Sequence, residues 1–238
     1  MSVPIPENPL DDLLRTLNLA KLESAASGED RFEGPSQWMP HGRIYGGQVL
    51  AQSLLAATKT IDTEGIRNIH SLHGYFLRPG DIELPIIFSV DRLRDGRSFS
   101  TRRVQAFQND LPIFSMIASF QDTDPGLDHQ DDFPQNIPDP EGLPTAAELL
   151  GESEHPVVQY WAKARPFDLR HVTAPIFFKV EGEHVAHQAV WIKSLGELPD
   201  DKNIHRAAIA YASDYTILDR CSRESCSRWH RQSLPGEC

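Results

Sequence analysis

The run Tyr45-Gly46-Gly47-Gln48-Val49-Leu50-Ala51-Gln52-Ser53-Leu54-Leu55-Ala56-Ala57-Thr58-Lys59-Thr60-Ile61 decides how this chain folds. It reads as one helix opened by a glycine pair, and its neighbours read as strands. Phe32–Met39 precedes it as a short strand. His70–Leu77, Glu83–Leu93, Ser98–Gln108 and Leu111–Gln121 follow, divided by Pro79-Gly80-Asp81, Asp95-Gly96 and Asn109-Asp110. Two-residue turns of the last two kinds between β-prone runs are strong hairpin signals. The expectation is an α+β unit of about ninety residues, an antiparallel β-meander wrapped around one central helix.

Toward the N-terminus, Asn8-Pro9 followed by Asp11 and Asp12 supplies a cap residue, a proline at the first helical position and acids in the first turn. Leu10, Leu13, Leu14, Leu17 and Leu22 carry the helical period as far as Ala26. Toward the C-terminus, Asp122–Glu141 holds seven acids, four prolines and no Lys or Arg, the composition of a linker. Thr145–Leu150 and Val157–Lys163 are predicted as short helices within that connection. The first pattern then restarts, with strands at Ile176–Val180 and His184–Ser194 and a helix over Ile204–Leu218. The last stretch, 220–238, contains four arginines, four serines and all three cysteines, with a net charge of +2 against −13 for the preceding residues. The organisation expected is a helical segment at 1–30, a first unit at 31–122, a linker at 123–166, an incomplete second unit at 167–219 and an unrelated tail at 220–238. A truncation or reading-frame change near codon 220 is the expected origin of that tail. The second helix is then expected to lack the sheet that covers its apolar stripe, which predicts oligomerisation, aggregation or a loosely packed C-terminal half.

A chain of 238 residues, 39% of them apolar, has material for one large domain or two small ones. Its net charge of −11 argues against binding a phosphate backbone, so nucleic acid is not an expected partner. No apolar run approaches the ~18–20 residues that span a bilayer, and no basic start with an apolar core opens the chain. A soluble cytoplasmic protein without a membrane partner is expected. Gly-x-Ser-x-Gly, P-loop and Rossmann glycine patterns are missing from the sequence. Cys221, Cys226 and His230 are too loosely spaced for a metal site. His70/His73 and His184/His187 are strand pairs whose members point to opposite faces, so no metal is expected there either.

The most informative residue lies on the second helix. Ala207, Ala210, Tyr211, Asp214, Ile217 and Leu218 form one helical stripe, which puts a carboxylate in the middle of a face that should be buried. A buried carboxylate is paired, functional, or a local cap near a frayed helix end. Gly46 and Gly47 open the first helix, where free amides and the helix dipole favour negative charge or a developing oxyanion; close packing of the helix explains the same glycines. Arg94, Arg97, Arg102 and Arg103 surround one hairpin, with Arg94 and Arg97 the candidates to meet substrate phosphates.

The string Pro40-His41-Gly42-Arg43-Ile44-Tyr45-Gly46-Gly47-Gln48-Val49-Leu50-Ala51-Gln52 resembles the first-helix signature of the type II acyl-CoA thioesterases, the TesB-like family. So do His73-Gly74-Tyr75-Phe76-Leu77-Arg78-Pro79-Gly80-Asp81, Leu93–Phe99 and Ala118–Gln121, and Ala210-Tyr211-Ala212-Ser213-Asp214 is similar to that family's catalytic-helix motif. The resemblance implies a double hotdog, two tandem helices each wrapped by antiparallel sheet, here with the second incomplete. It also implies hydrolysis of fatty acyl-CoA to free acid and CoA without a cofactor, with an Asp, a Thr and a Gln activating water. Asp214 occupies the Asp position. The strings His-Arg-Pro-Phe and Gln-Glu-Gly that surround the Thr and Gln do not follow it, Thr216 sits on the wrong side of the helix, and Gln232 lies in the tail. The expected partners are acyl-CoA and further copies of the chain in a homo-oligomer. The alternative is a catalytically silent hotdog protein that binds acyl-CoA or a partner subunit. Asp201-Lys202-Asn203-Ile204-His205 loosely resembles the Asp-x-Asn-Pro-x-His pattern of hotdog hydratases, but is one residue short and lacks the proline. The hydrolase reading requires Asp214 to lie in a water-poor cleft close to the Gly46-Gly47 turn.

Overall fold

The computed structural model describes residues 3–26, 28–61, 67–150, 153–172 and 189–216. Helix α1 (Pro9–Leu17) starts where the sequence predicts: the Asn8 Oδ1 accepts the amides of Leu10 at 3.0 Å and Asp11 at 3.4 Å. It stops at Leu17 rather than Ala26. Beyond Asn18 the backbone is extended, and β1 (Ala20–Lys21) pairs with β2 (Asp30–Gly34), so strand pairing wins over the helical period of Leu22. The strand predicted at Phe32–Met39 is shorter than expected, because past Gly34 the chain bonds helix side chains instead of a neighbouring strand.

The central helix α2 (Gly46–Thr58) is buried on nearly every side, which its run of small and apolar residues permits. Gln48 and Gln52 are buried one turn apart and fully engaged. Gln48 accepts the Gln37 amide at 3.1 Å and donates to the Pro35 carbonyl at 2.9 Å, while Gln52 donates to the carbonyls of Thr16 and Pro35. A buried amide must be satisfied, and these two satisfy themselves by fastening α1 and the β2–α2 loop to the helix.

Around α2 curls a six-stranded antiparallel sheet, in the order β1-β2-β4-β5-β6-β3. Its long strands are β3 (Arg67–Phe76), β4 (Ile86–Asp95), β5 (Phe99–Gln108) and β6 (Leu111–Asp122). The Asn109-Asp110 turn is as expected, with both residues at positive φ (48° and 60°). Two expectations are corrected. The strands do not form a simple meander, since β3 pairs with β6 at the sheet edge and the segment holding Pro79 and Pro85 crosses over to β4. Nor is Asp95-Gly96 a two-residue turn: the hairpin closes through the Gly96 amide to the Phe99 carbonyl at 2.8 Å, after a bulge between Arg92 and Arg94.

The linker is exposed and irregular to Asp139, then leads through a short 3₁₀ turn to α3 (Ala146–Leu150) and α4 (Pro156–Lys163). The second unit opens with β7 (Phe167–His171), which the sequence reading missed, paired with β8 (Val190–Ser194), and continues to α5 (Lys202–Ser213). The predicted strand at Ile176–Val180, residues 184–188 and residues 217–238 lie outside the described residues. Part of the apolar face of α5 is covered by a helix, while the expected loss of its covering sheet concerns residues 217–238, outside the described residues. Ala207, Ala210 and Tyr211 join the same core as Val49, Leu54 and Phe167, so the first unit's helix covers the second's.

The hairpin at the far end of α2 depends on Arg102, which is 0% exposed. It donates to the Thr60 hydroxyl (2.8 Å) and carbonyl (3.1 Å), the Arg94 carbonyl (3.0 Å) and the Asp95 carboxylate (2.7 Å). Burial works to raise the Asp95 pKa, but hydrogen bonds from Ser100 and Arg102 outweigh it and hold the carboxyl below its ordinary value. Replacing Arg102 by Met should cost on the order of 2–3 kcal/mol, because buried acceptors lose their donor. Arg94→Ala, at an exposed site, should stay within about 0.5 kcal/mol. Denaturant melts of the two variants check the contrast.

Candidate active site

Two helix ends meet in this molecule. Tyr45 precedes α2 with extended backbone and offers no side-chain cap to the first amides. The cap comes from 167 residues away: Asp214 Oδ2 accepts the Gly47 amide at 3.0 Å, and the Gly46 amide bonds the same carboxylate. Asp214 itself terminates α5, with the Tyr215 amide turned back onto the Ala212 carbonyl at 3.1 Å. The carboxylate is thus at the end of the helix rather than in the middle of a buried stripe, and it is half-buried.

Burial pushes the Asp214 carboxyl above its ordinary pKa, and the amide bonds from Gly47 and Gly46 pull it back only in part. The positive end of α2 favours the anion, while the negative end of its own helix disfavours it.

The glycine pair is required by proximity, not by backbone angle. A Cβ on Gly47 would lie 2.2 Å from the Tyr211 carbonyl oxygen and 2.5 Å from the Tyr45 ring. A Cβ on Gly46 would lie 2.9 Å from Asp214 Oδ2 and 3.0 Å from the Phe76 ring. Gly46 therefore separates the carboxylate from an apolar cleft of about 310 Å³ that it helps to line, together with Ile44, Val49, Phe76, Leu77, Pro79 and Ile113. Arg78 lies on the same cleft, exposed, donating to the Pro112 carbonyl at 2.8 Å. On the other flank Tyr45 stacks on Tyr215 (centroids 5.0 Å, 19°) and contacts Tyr211 (4.9 Å), with the Arg165 guanidinium 4.4 Å over the Tyr215 ring.

Of the residues singled out from sequence, Asp214, Gly46 and Gly47 come together. The two amides differ from expectation in that they hold the carboxylate instead of standing free for an oxyanion. Arg94 and Arg97 do not join them. Their carbonyls bond Arg102 and Arg67 beside Thr60, at the opposite end of a helix roughly 20 Å long. Arg103 pairs with Asp91 at 2.7 Å. His70 bonds the Ser119 hydroxyl, and His73 packs edge-on against Tyr75. Asp201 caps α5 through the Asn203 amide, and His205 bonds the Pro199 carbonyl, so the hydratase-like string is a helix start. Thr216 is half-buried two residues beyond Asp214. Among the described residues no group of three His, Cys, Asp or Glu is placed to hold a metal, and no helix is long and apolar enough to cross a membrane. Gln232, His184, His187, His230 and the three cysteines lie outside the described residues. Sequence reasoning missed the cleft and the Tyr45–Tyr211 contact, which joins positions 166 apart and leaves no periodic trace.

Comparison with known proteins agrees with this geometry. Residues 34–121 match the acyl-CoA thioesterase N-terminal domain family, and residues 163–234 match the acyl-CoA thioesterase family, a span that includes part of the Arg/Ser/Cys-rich stretch. The chain is 35% identical to the human acyl-coenzyme A thioesterase 8 over 89% of its own length and 69% of that protein. It is 36% identical to acyl-CoA thioesterase 2 of Haemophilus influenzae, covering 88% and 71% of the two chains. Among solved structures, the tesB protein of Mycobacterium avium superposes with a TM-score of 0.68 at 32% identity, over 89% of this chain and 71% of that one. A hot dog-fold protein of Alicyclobacillus acidocaldarius, 18% identical and covering 86% and 69%, gives 0.63 and shares the fold. The α+β architecture is the hotdog fold.

The close approach at Gly47 yields a direct expectation. Gly47→Ala should force α2 and α5 apart and destabilise the fold by about 1–3 kcal/mol. Thermal melts report the loss, and turnover per folded molecule should fall with it.

Proposed function

The chain belongs to the acyl-CoA thioesterase II family, the TesB-like thioester hydrolases, and from that premise we propose that Asp214 is its general base. The reaction is hydrolysis of an acyl-CoA to the free acid and CoA. One observation carries the assignment of the base: a half-buried carboxylate, held at 3.0 Å by the Gly47 amide, beside an apolar cleft.

A carboxylate has roughly four lone-pair directions, and the amides of Gly46 and Gly47 occupy two of them. The remainder accept a proton from a water molecule. As that water attacks the thioester carbonyl carbon, its proton passes to Asp214, the C–S bond breaks and the CoA sulfur leaves as thiolate. Because the glycine amides are engaged, α2 acts on the developing oxyanion through its dipole. Burial raises the base toward the working pH, which strengthens it as a proton acceptor. The acyl chain lies in the cleft against Ile44, Phe76 and Ile113, consistent with fatty acyl substrates. Arg94 and Arg97, on the far hairpin, take no part in this step and remain candidates for the distant end of CoA. A homo-oligomer and a cytoplasmic setting belong to the same proposal, the first supported by exposed Tyr75 and Phe76 on edge strand β3 and Ile117 on β6. Membership in a family of hydrolases and the placement of Asp214 favour the enzyme over the silent binder.

Asp214→Asn should lower kcat by about 10²–10⁴-fold in an assay of thiol release. It should not lower the melting temperature. A folded-state pKa above the unfolded one stabilises the native state only below the ordinary carboxylate range, and that contribution is lost as pH rises through the raised value. The Asn variant should therefore melt at or above the wild type near neutral pH. The wild-type activity should decline on acidification at a pH above that of an ordinary carboxylate. Wild-type turnover by Asp214→Asn would remove the assignment.

Ile44→Trp should fill the cleft. Long-chain acyl-CoA should lose about tenfold or more in kcat/KM while short-chain acyl-CoA changes little, read from a chain-length series. A uniform loss across chain lengths would place the acyl chain elsewhere.

A further inference from the structure

We infer that Tyr45 is a positioning residue for Asp214, fastening the turn of α5 that carries the carboxylate to the end of α2 that receives it. The inference rests on Asp214 being the base.

The Tyr45 hydroxyl donates to the Tyr211 carbonyl at 2.8 Å. Tyr211 lies one helical turn before Asp214, and its carbonyl is among the last of α5, where carbonyls lack intrahelical donors. The Tyr45 ring also stacks on Tyr215, immediately after Asp214, at 5.0 Å and 19°. One side chain therefore touches the residues on both sides of the carboxylate. Its own backbone leads directly into Gly46 and Gly47, the amides that hold Asp214. The result is reciprocal capping: α5 supplies the acceptor for the first amides of α2, and the residue before α2 supplies the donor for a terminal carbonyl of α5.

Geometry at Gly47 leaves this contact little slack. Its missing Cβ would be 2.2 Å from the same Tyr211 carbonyl oxygen, so the Gly47 amide that reaches Asp214 and the carbonyl that accepts Tyr45 belong to one close contact of α2 with α5. Tyr45 and Tyr215 are the ionisable groups that interact with the carboxylate, and Tyr211, Tyr160 on α4 and Arg165 ahead of β7 surround those two rings in turn. Burial is the main cause that raises all four phenols above their ordinary range, so Tyr45 remains a donor throughout the working pH. An acidic limb in the pH profile then reports Asp214 and not Tyr45.

Tyr45→Phe removes the donor and keeps the ring. The expected result is a fall in kcat of about three- to tenfold with KM within twofold. The acidic limb should move to higher pH, because amide bonds that lower the carboxyl pKa are weakened while its burial persists. Phe88→Leu, in the core of β4, is the matched control: it should lower the melting temperature and leave kcat per folded molecule and the acidic limb unchanged. If Tyr45→Phe lowers only the melting temperature, as Phe88→Leu does, Tyr45 is structural and the inference is overturned, while Asp214 as base stands. If Asp214→Asn turns over like wild type, the reading beneath the inference is what has failed.

Discussion

Two buried helix ends of opposite polarity, set against each other, impose the constraint on which this structure depends. The first amides of α2 and the last carbonyls of α5 lack partners within their own helices. Each finds one on the other helix: Asp214 for Gly47, Tyr45 for Tyr211. That exchange works only at close range, and close range demands residues without Cβ at 46 and 47. The sheet, the buried Gln48 and Gln52, and α1 all bear on α2 and fix where its N-terminus points.

Such an arrangement sets chemistry against stability at one atom pair. Burial makes the Asp214 carboxylate a better proton acceptor and simultaneously disfavours its charged form. Two backbone amides offset part of the desolvation without neutralising the group as an Arg or Lys would. Contrast Asp95 at the other end of α2. There the guanidinium of Arg102 and the Ser100 hydroxyl bind a carboxylate whose pKa falls below the ordinary value, an arrangement that stabilises and leaves nothing to do acid–base work near neutral pH. The same residue type takes opposite roles because its donors are amides in one place and a cation in the other.

What could be read in advance follows from how local each signal is. Asn8-Pro9 and Asn109-Asp110 act within a few residues, and both are where the sequence puts them. The long helix at 46–58 follows from its own composition. The pairing of β3 with β6 rather than β4 depends on a crossover whose course no neighbouring residue encodes. Arg102 looks like any hairpin arginine until Thr60, forty-two positions away, closes over it. Asp214 is legible in the sequence as a carboxylate out of place on an apolar stripe or as a cap near a frayed helix end, but its partner Gly47 is not, because that amide belongs to the other unit.

Backbone donors give the site a particular robustness. The amides of Gly46 and Gly47 persist through any substitution that leaves the chain's path intact, and they present partial positive charge at every pH. A base oriented by a polar side chain can be lost by one substitution of its partner. A carboxylate oriented by backbone, as Asp214 is, loses its donors only if the two helices separate or a Cβ intrudes. Among the described residues, 45–47 and 211–215 supply the contacts that hold the Asp214 carboxylate.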